Sequence, residues 1–431
     1  MRQENRYYDV FPRVVRAGGE TTITVRPLFD HRRFAGDSVY QITLLPLEGN
    51  AHQTTWASPQ DISLNPSGGL LQVRSLFESE QEYALLVKTA DGDKVTQLAE
   101  FRLYALADDM FGRRPYKGDM HAHSAYSDGK EAPAYVAGAS RRIGLDFMAV
   151  TDHHQYAPSL EAIRAFADVE ADLKIYPGEE VHAPGNPVHI VNFGGRFSLN
   201  ERFDGEAYRD EVKAIEAGLT GLPPEMERYP YAACLWCFDK IREAGGLGVF
   251  CHPYWLFRHR YDVPGALTRL LFERQPFDAL ELIGGFHRFE IESNTLQVAR
   301  YHEERARGKQ IPIVGVSDAH GCEQGELFGW YYTVVFAPAP DLPELIRSIK
   351  DLYSVAVEAL PGEAVRAYGP LRLVKYAQFL LREVFPQHDE LCAEEGRLML
   401  AYLAGDPRAA EGLRRLKGRT AALYDHLWDA T

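Results

Sequence analysis

Between Arg13 and Leu106, short runs mix β-branched and aromatic residues with polar ones: Thr21-Thr22-Ile23-Thr24-Val25, Tyr40-Gln41-Ile42-Thr43-Leu44, Leu70-Leu71-Gln72-Val73 and Tyr83-Ala84-Leu85-Leu86-Val87. Turn formers separate them at Gly18-Gly19, Pro66-Ser67-Gly68-Gly69 and Asp91-Gly92. Short strands with frequent turns predict a small antiparallel β-sandwich, assigned to residues 1–112. Around Asp108 to Tyr116 the pattern changes. Apolar runs at Phe147–Val150, Ile175–Tyr176, Val188–Phe193, Leu247–Phe250, Ala279–Ile283 and Ile313–Val316 read as buried parallel strands, with Asp119–His123 as the first of seven. Helical stretches lie between some of them, at Pro133–Ile143, Ser159–Ala171, Ala232–Ala244 and Glu290–Arg307. This alternation predicts an α/β domain over 113–340, built as a barrel or a doubly wound sheet, with an insertion at about 196–231. Beyond Pro340 the pattern is helical, at Pro343–Lys350, Pro370–Val384, His388–Ala404 and Pro407–Trp428. These helices are expected to form a C-terminal region, 341–431, packed on the barrel.

Composition narrows the function classes. The chain has 431 residues, 45% hydrophobic and 25% charged, which excludes a disordered, collagenous or coiled-coil protein. Asp and Glu outnumber Lys and Arg 61 to 47, giving a formal net charge of −14. That balance disfavours long nucleic acid and anionic membrane as partners. The five cysteines do not make a disulfide framework. Cys234 and Cys237 form a C-x-x-C, but in an apolar helical stretch with no second pair nearby, so they read as small hydrophobes. The N-terminus lacks an apolar signal-like core, and no run is long enough to span a bilayer, so a soluble cytoplasmic protein is expected.

The polar residues at the strand ends are of one chemical kind. His121-x-His123 opens the α/β domain, and a strand period of two would point both imidazoles to one side. Ser127-Asp128-Gly129 adds a carboxylate at a turn, and Thr151-Asp152-His153-His154 follows an apolar strand. Gly178-Glu179-Glu180 supplies glutamates, His189 opens the next strand, and His252-Pro253 and Ser317-Asp318-Ala319-His320 close the last ones. A single histidine at a strand end is ordinarily a turn or core residue. Six separate strand-associated segments each delivering His, Asp or Glu point instead to a metal centre. Imidazole and carboxylate without thiolate suit Mn, Fe or Zn.

This ordered set resembles the PHP (polymerase and histidinol phosphatase) superfamily over roughly Tyr116 to Tyr332. The resemblance implies a distorted seven-stranded (β/α) barrel whose top binds three divalent metal ions. It further implies that His121 and His123 bind the first ion, that Glu180 bridges to a second served by His189 and His252, and that Asp128 and His153 hold the third. Asp318, as a bridge, and His320 complete the nine, with Glu179 competing for the place of Glu180. Asp128 departs from the pattern, since some members have histidine there. The activity implied is that of a metal-dependent phosphoesterase, with a hydroxide bridging two ions as nucleophile and Asp318, His153 and His252 as the catalytic positions. Arg258, with His259 and Arg260, and the pair His287-Arg288 lie on loops expected to rim that face. They are the candidates to clamp a phosphate. His154 and His182 are expected at the rim or behind the ligands, and Asp152 is a candidate to orient a ligand histidine. The expected partner is a small phosphorylated substrate, and a homo-oligomer stays open. Two other classes fit the same residues: hydrolysis of a carbamate or carboxylic ester at the same metals, and a metal-stabilised binding protein without activity.

Overall fold

The computed structural model describes residues 6–49, 62–91, 94–224, 226–287, 290–323 and 325–429. The chain divides into two compact units: Met1–Arg114 with Val374–His388 and Gly418–Thr431, and Pro115–Leu373 with Asp389–Lys417.

In the first unit, three of the four sequence-predicted strands lie inside longer ones, and the fourth, Leu70–Val73, overlaps Leu71–Phe77 from its second residue. Tyr8–Phe11, Gly19–Pro27 and Leu71–Phe77 form a three-stranded antiparallel sheet. A second sheet has the order Val14–Arg16, Lys94–Leu106, Gln81–Asp91, Tyr40–Pro46, Ile62–Leu64. Val10, Ile23, Val25, Leu71 and Val73 from one sheet pack in a single core with Ile42, Leu85, Val87, Phe101 and Leu103 from the other. That is sandwich packing, in which each strand turns alternate side chains inward. One edge departs from the antiparallel expectation, because Val14–Arg16 pairs in parallel with the end of Lys94–Leu106. Buried Arg13 pairs with Glu383 at 3.2 Å, tying the segment Val374–His388 into this unit.

The second unit is mixed α/β, and apart from a two-stranded hairpin its strands fall in two hydrogen-bonded sheets rather than one row of seven. The six-stranded sheet runs Lys174–Tyr176, Phe147–Ala149, Arg114–Asp119, Tyr331–Ala337, Ser354–Glu358, Arg366–Tyr368. The five-stranded sheet runs Gly178–His182, His189–Phe193, Leu247–Phe250, Ala279–Ile283, Ile313–Gly315. Phe147 and Ala149 from the first sheet, with Met120 just after its strand Arg114–Asp119, share a buried cluster with Val191, Phe193, Val249, Ala279 and Val314 from the second. Two isolated parallel bridges, His153 to Glu180 and Ala122 to Ala319, connect the sheets where the polar motifs lie.

Three departures bear on the site. The strand expected over Asp119–His123 is Arg114–Asp119 instead. It stops there because the Asp119 carboxylate accepts the His121 N–H at 3.2 Å and the Ser317 N–H at 3.1 Å, a local capture that competes with a ladder. Glu179 and Glu180 do not end the preceding strand but lie inside a further one, Gly178–His182. Finally, His189–Phe193 is buried as expected but antiparallel to both neighbours. Its connection to Gly178–His182, residues 183–188, is too short for a parallel crossover.

Of the C-terminal stretches, Pro407–Trp428 resolves into two helices, Ala409–Leu416 and Arg419–Leu427, broken at Gly418, whose φ of 79° suits glycine. The strands Ser354–Glu358 and Arg366–Tyr368 lie between the first two of the predicted helical stretches, where no strand is predicted. No helix among the described residues is long and apolar enough to cross a membrane.

Candidate metal centre

The loop after Arg114–Asp119 is held on three sides. Asp119 fixes His121 and Ser317 as above, Thr151 Oγ1 accepts the Ala122 N–H at 3.1 Å, and the His123 N–H donates to the Ala319 carbonyl at 2.9 Å. Asp152 does not orient a histidine. Its carboxylate accepts the Ser124 N–H (2.8 Å), the Ser124 hydroxyl (2.6 Å) and the Ser127 hydroxyl (2.6 Å), which folds the loop carrying Asp128 back over His123. Gly129 is required there, since a Cβ would stand 2.6 Å from the His123 carbonyl oxygen. Asp318 and His252 both take positive φ, 50° and 27°, a backbone conformation that costs of order 1–3 kcal/mol and concentrates at functional sites.

These loops bring all nine sequence-predicted residues to one place. Glu180 Oε2 faces His153 Nδ1 at 2.5 Å, His121 Nε2 at 3.5 Å and His123 Nε2 at 3.6 Å. Its other oxygen faces His189 Nδ1 at 2.9 Å and His252 Nε2 at 3.4 Å. Asp318 Oδ1 lies 2.8 Å from His123 Nε2 and 3.2 Å from His121 Nε2. Asp128, on the exposed edge, lies 3.3 Å from His320 Nε2 and 3.4 Å from His153 Nε2. The competition between the two glutamates resolves geometrically. Buried Glu179 points away, its carboxylate filled by Ser198 Oγ (2.7 Å), the Leu199 N–H (2.6 Å) and Asn200 Nδ2 (3.0 Å).

Closeness without hydrogen-bond direction marks this cluster. Among the described residues, His121 Nε2, His123 Nδ1, His189 Nδ1 and Glu180 Oε2 are buried yet make no hydrogen bond. Buried polar atoms are nearly always paired, so four orphans within one cluster of imidazoles and carboxylates fit cations among them. Donor atoms close enough to share an ion occur in the sets His121-His123-Glu180, His121-His252-Asp318 and His123-Asp128-His153-His320. His252 occurs in a set with His121 and Asp318 and, together with His189, faces one oxygen of Glu180.

Without an ion, protons take over the electrostatics. Burial opposes charge on His121, but Asp318 and Glu180 override it and hold its pKa well above the usual value. Burial likewise opposes charge on His153, which Glu180 and Asp128 raise to about 9. His252 is also raised. Burial instead lowers His123, His182 and His189. Protons on the raised histidines compete with metal, so metal affinity should climb as pH rises through about 9, with proton release on binding. Calorimetry in buffers of different ionisation enthalpy measures that release; pH-independent affinity would contradict it.

Two residues at the cluster went unread in the sequence. Glu281, fully buried in the strand Ala279–Ile283, places Oε2 3.1 Å from His121 Nδ1. It thereby leaves Nε2 as the free nitrogen facing the site. Cys251 stands beside both, in the set His121-Cys251-Glu281. The available signal was a lone acid inside an otherwise apolar strand. Glu281→Gln should weaken metal binding by about 10–100-fold, read by metal titration, while leaving the fold intact.

The remaining candidates lie apart from the cluster or at its edge. His287 lines the cleft. Arg258 is exposed at a hairpin turn with its guanidinium 4.9 Å from the Phe257 ring centroid, and is not a lining residue. Arg288 lies outside the described residues. His182 lines the cleft, and His154 packs against it at 4.4 Å between ring centroids. Cys234 and Cys237 are buried on the helix Arg228–Glu243, and burial pushes both thiols up, as inert core residues require.

No family model matches the chain, and no curated protein matches it. Solved structures do. One is a two-domain protein of Bacteroides vulgatus containing a predicted PHP-like metal-dependent phosphoesterase, 17% identical, covering 57% of this chain and 66% of that one, with a TM-score of 0.38. A protein of Bifidobacterium adolescentis assigned as a metal-dependent phosphoesterase is 19% identical, covering 48% and 88%, with a TM-score of 0.33. The chain is similar to PHP-like metal-dependent phosphoesterases. It is also similar to an amidohydrolase from Chromobacterium violaceum with bound sulfate and no metal, at 20% identity, covering 55% and 96%, with a TM-score of 0.32.

Proposed function

We propose that this chain is a metal-dependent hydrolase of the PHP type, and within that class a phosphoesterase acting on a small phosphate ester. The observation that carries the reading is the convergence of six histidines with Glu180, Asp318 and Asp128, including buried donor atoms that lack any hydrogen bond. Overlapping donor sets support more than one divalent ion, three being the number the resemblance implies, and the nitrogen and oxygen donors suit Mn, Fe or Zn. When bound, such ions supply charge neutralisation at phosphate oxygens and lower the pKa of water from 15.7 towards about 7.

The chain's own residues hold and orient. Glu180 and Asp318 supply the carboxylates shared among the imidazoles, Glu281 sets the tautomer of His121, and Asp152 fixes the loop that carries Asp128. His153, His252 and Asp318 line the cleft and are the proposed catalytic positions. With an overall charge of −14, a compact phosphate ester is preferred to a polyanion. The same reading takes seven of the strands in the two sheets as one distorted barrel closed at the His153–Glu180 and Ala122–Ala319 bridges.

The test is a panel of phosphomonoesters, phosphodiesters, carboxylic esters and aryl carbamates offered with Mn, Fe or Zn. Turnover of phosphate esters is expected, and His121→Ala or Asp318→Ala should abolish it and strip metal. Exclusive cleavage of carbamates or carboxylic esters would assign the site to the other hydrolase class. Full phosphoesterase activity in either variant would sink the scheme.

A further inference from the structure

The donor cluster forms one side of the cleft, and a different kind of surface forms the other. Trp255, Phe257, Phe286 and Leu327 line it, joined by Asp262. The cleft measures about 510 Å³, a size that holds a whole small molecule rather than a phosphate group alone. Leu256–Phe257 and Arg260–Tyr261 pair as an antiparallel hairpin, and its turn residues Arg258 and His259 both take positive φ, 48° and 68°. Two successive left-handed residues make the tight turn that matches strand twist, so the direction of Phe257 is set by the backbone.

The rings run outward from the metal-binding residues. Trp255 lies 5.8 Å, between ring centroids, from both His189 and His252, and 5.4 Å from Phe257. Phe257 is 42% exposed at the cleft, where a ligand ring would remove it from water. Asp262 donates its N–H to the Trp255 carbonyl at 2.9 Å, which keeps it beside this aromatic face. Its carboxylate is partly buried, and among the described residues it has no hydrogen-bond or ion-pair partner. No Lys or Arg lines the cleft among those residues.

We infer that this wall is the leaving-group subsite, taking a planar ring that carries a hydrogen-bond donor and rejecting one that carries a second anion. The inference rests on the phosphoesterase reading. The ring lies along Trp255 and Phe257, and Asp262 accepts the donor's hydrogen bond. An anionic substituent on a ring lying along this wall meets the Asp262 charge, with no lining Lys or Arg among the described residues to offset it.

The experiment compares kcat/KM for ethyl, benzyl, 3-hydroxybenzyl and 3-carboxybenzyl phosphates on the metal-loaded protein. Trp255→Ala and the more exposed Phe257→Ala should each lower the benzyl-to-ethyl ratio, by up to about tenfold, whereas Trp255→Phe retains most of it. Asp262→Asn should lower the hydroxybenzyl-to-carboxybenzyl ratio by about tenfold, because it removes both the acceptor charge and the repulsion. Ratios unchanged in all these variants would overturn the inference while leaving the phosphoesterase reading standing. Failure of the unmodified protein to hydrolyse any of the four esters would refute that reading itself, and the subsite with it.

Discussion

Glu180→Gln should reduce turnover by at least about a thousandfold and lower the metal content of the purified protein. The side chain is fully buried and stands within 3.6 Å of nitrogens from five of the cluster's histidines, His121, His123, His153, His189 and His252. Burial alone would raise its pKa, but His189 and His121 hold it well below the usual carboxylate range, so it stays ionised. An amide of the same shape carries no charge and turns a donor toward those imidazoles, so the ligand set fails without a cavity being made. Circular dichroism should stay unchanged while metal and activity fall together. Glu179→Gln is the informative contrast. Its carboxylate serves only Asn192, Ser198, Leu199 and Asn200, so it should cost stability and spare the bound metal.

Arg141→Met should destabilise the second unit by about 3–5 kcal/mol. Arg141 is fully buried on the helix Pro133–Arg142. It donates from Nη1 to Asp146 at 2.9 Å and from Nε to Glu395 at 2.8 Å. Asp146 in turn accepts the Lys117 N–H at 3.0 Å, at the strand leading into His121-x-His123. Removing the guanidinium leaves two carboxylates buried without their cation. Breaking such a group by deleting one partner costs far more than its net contribution when intact. Arg141→Lys keeps a charge but not the planar fork, and should recover only part of the loss. Urea midpoints of the transition reporting this unit, at fixed metal concentration, measure both effects.

The candidate metal ligands were legible because their chemistry is expensive to bury without purpose. Imidazoles and carboxylates following apolar strands mark themselves in a sequence, and all nine converge as their motifs suggested. What surrounds them was less visible. Glu281 hides inside the apolar run Ala279–Ile283, where one acid looks like a tolerated exception, and its role emerges only from the 3.1 Å approach to His121. Asp152 sits next to a ligand histidine in sequence but turns to Ser124 and Ser127. The difference between Glu179 and Glu180 was invisible to pattern, since adjacent strand residues face opposite sides and the sequence does not say which side holds the metal.

The fold divides the same way. Several buried strands stood out by their apolar runs, although Tyr331–Ala337, fully buried, is not among those predicted; strand direction carries no such mark, and the antiparallel pairing of His189–Phe193 follows from a short connection. Ser354–Glu358 reads Ser-Val-Ala-Val-Glu, a short run between two helical stretches. Its strand identity comes from pairing with Tyr331–Ala337.

The most direct measurement follows benzyl phosphate hydrolysis by chelator-treated protein as Mn, Fe or Zn is added back, with bound metal counted by mass spectrometry. The account predicts no turnover in the stripped protein and a rate that rises to a plateau as the His121, Glu180 and Asp318 cluster fills. Undiminished turnover after stripping, or a fully loaded protein that hydrolyses no phosphate ester, would contradict it.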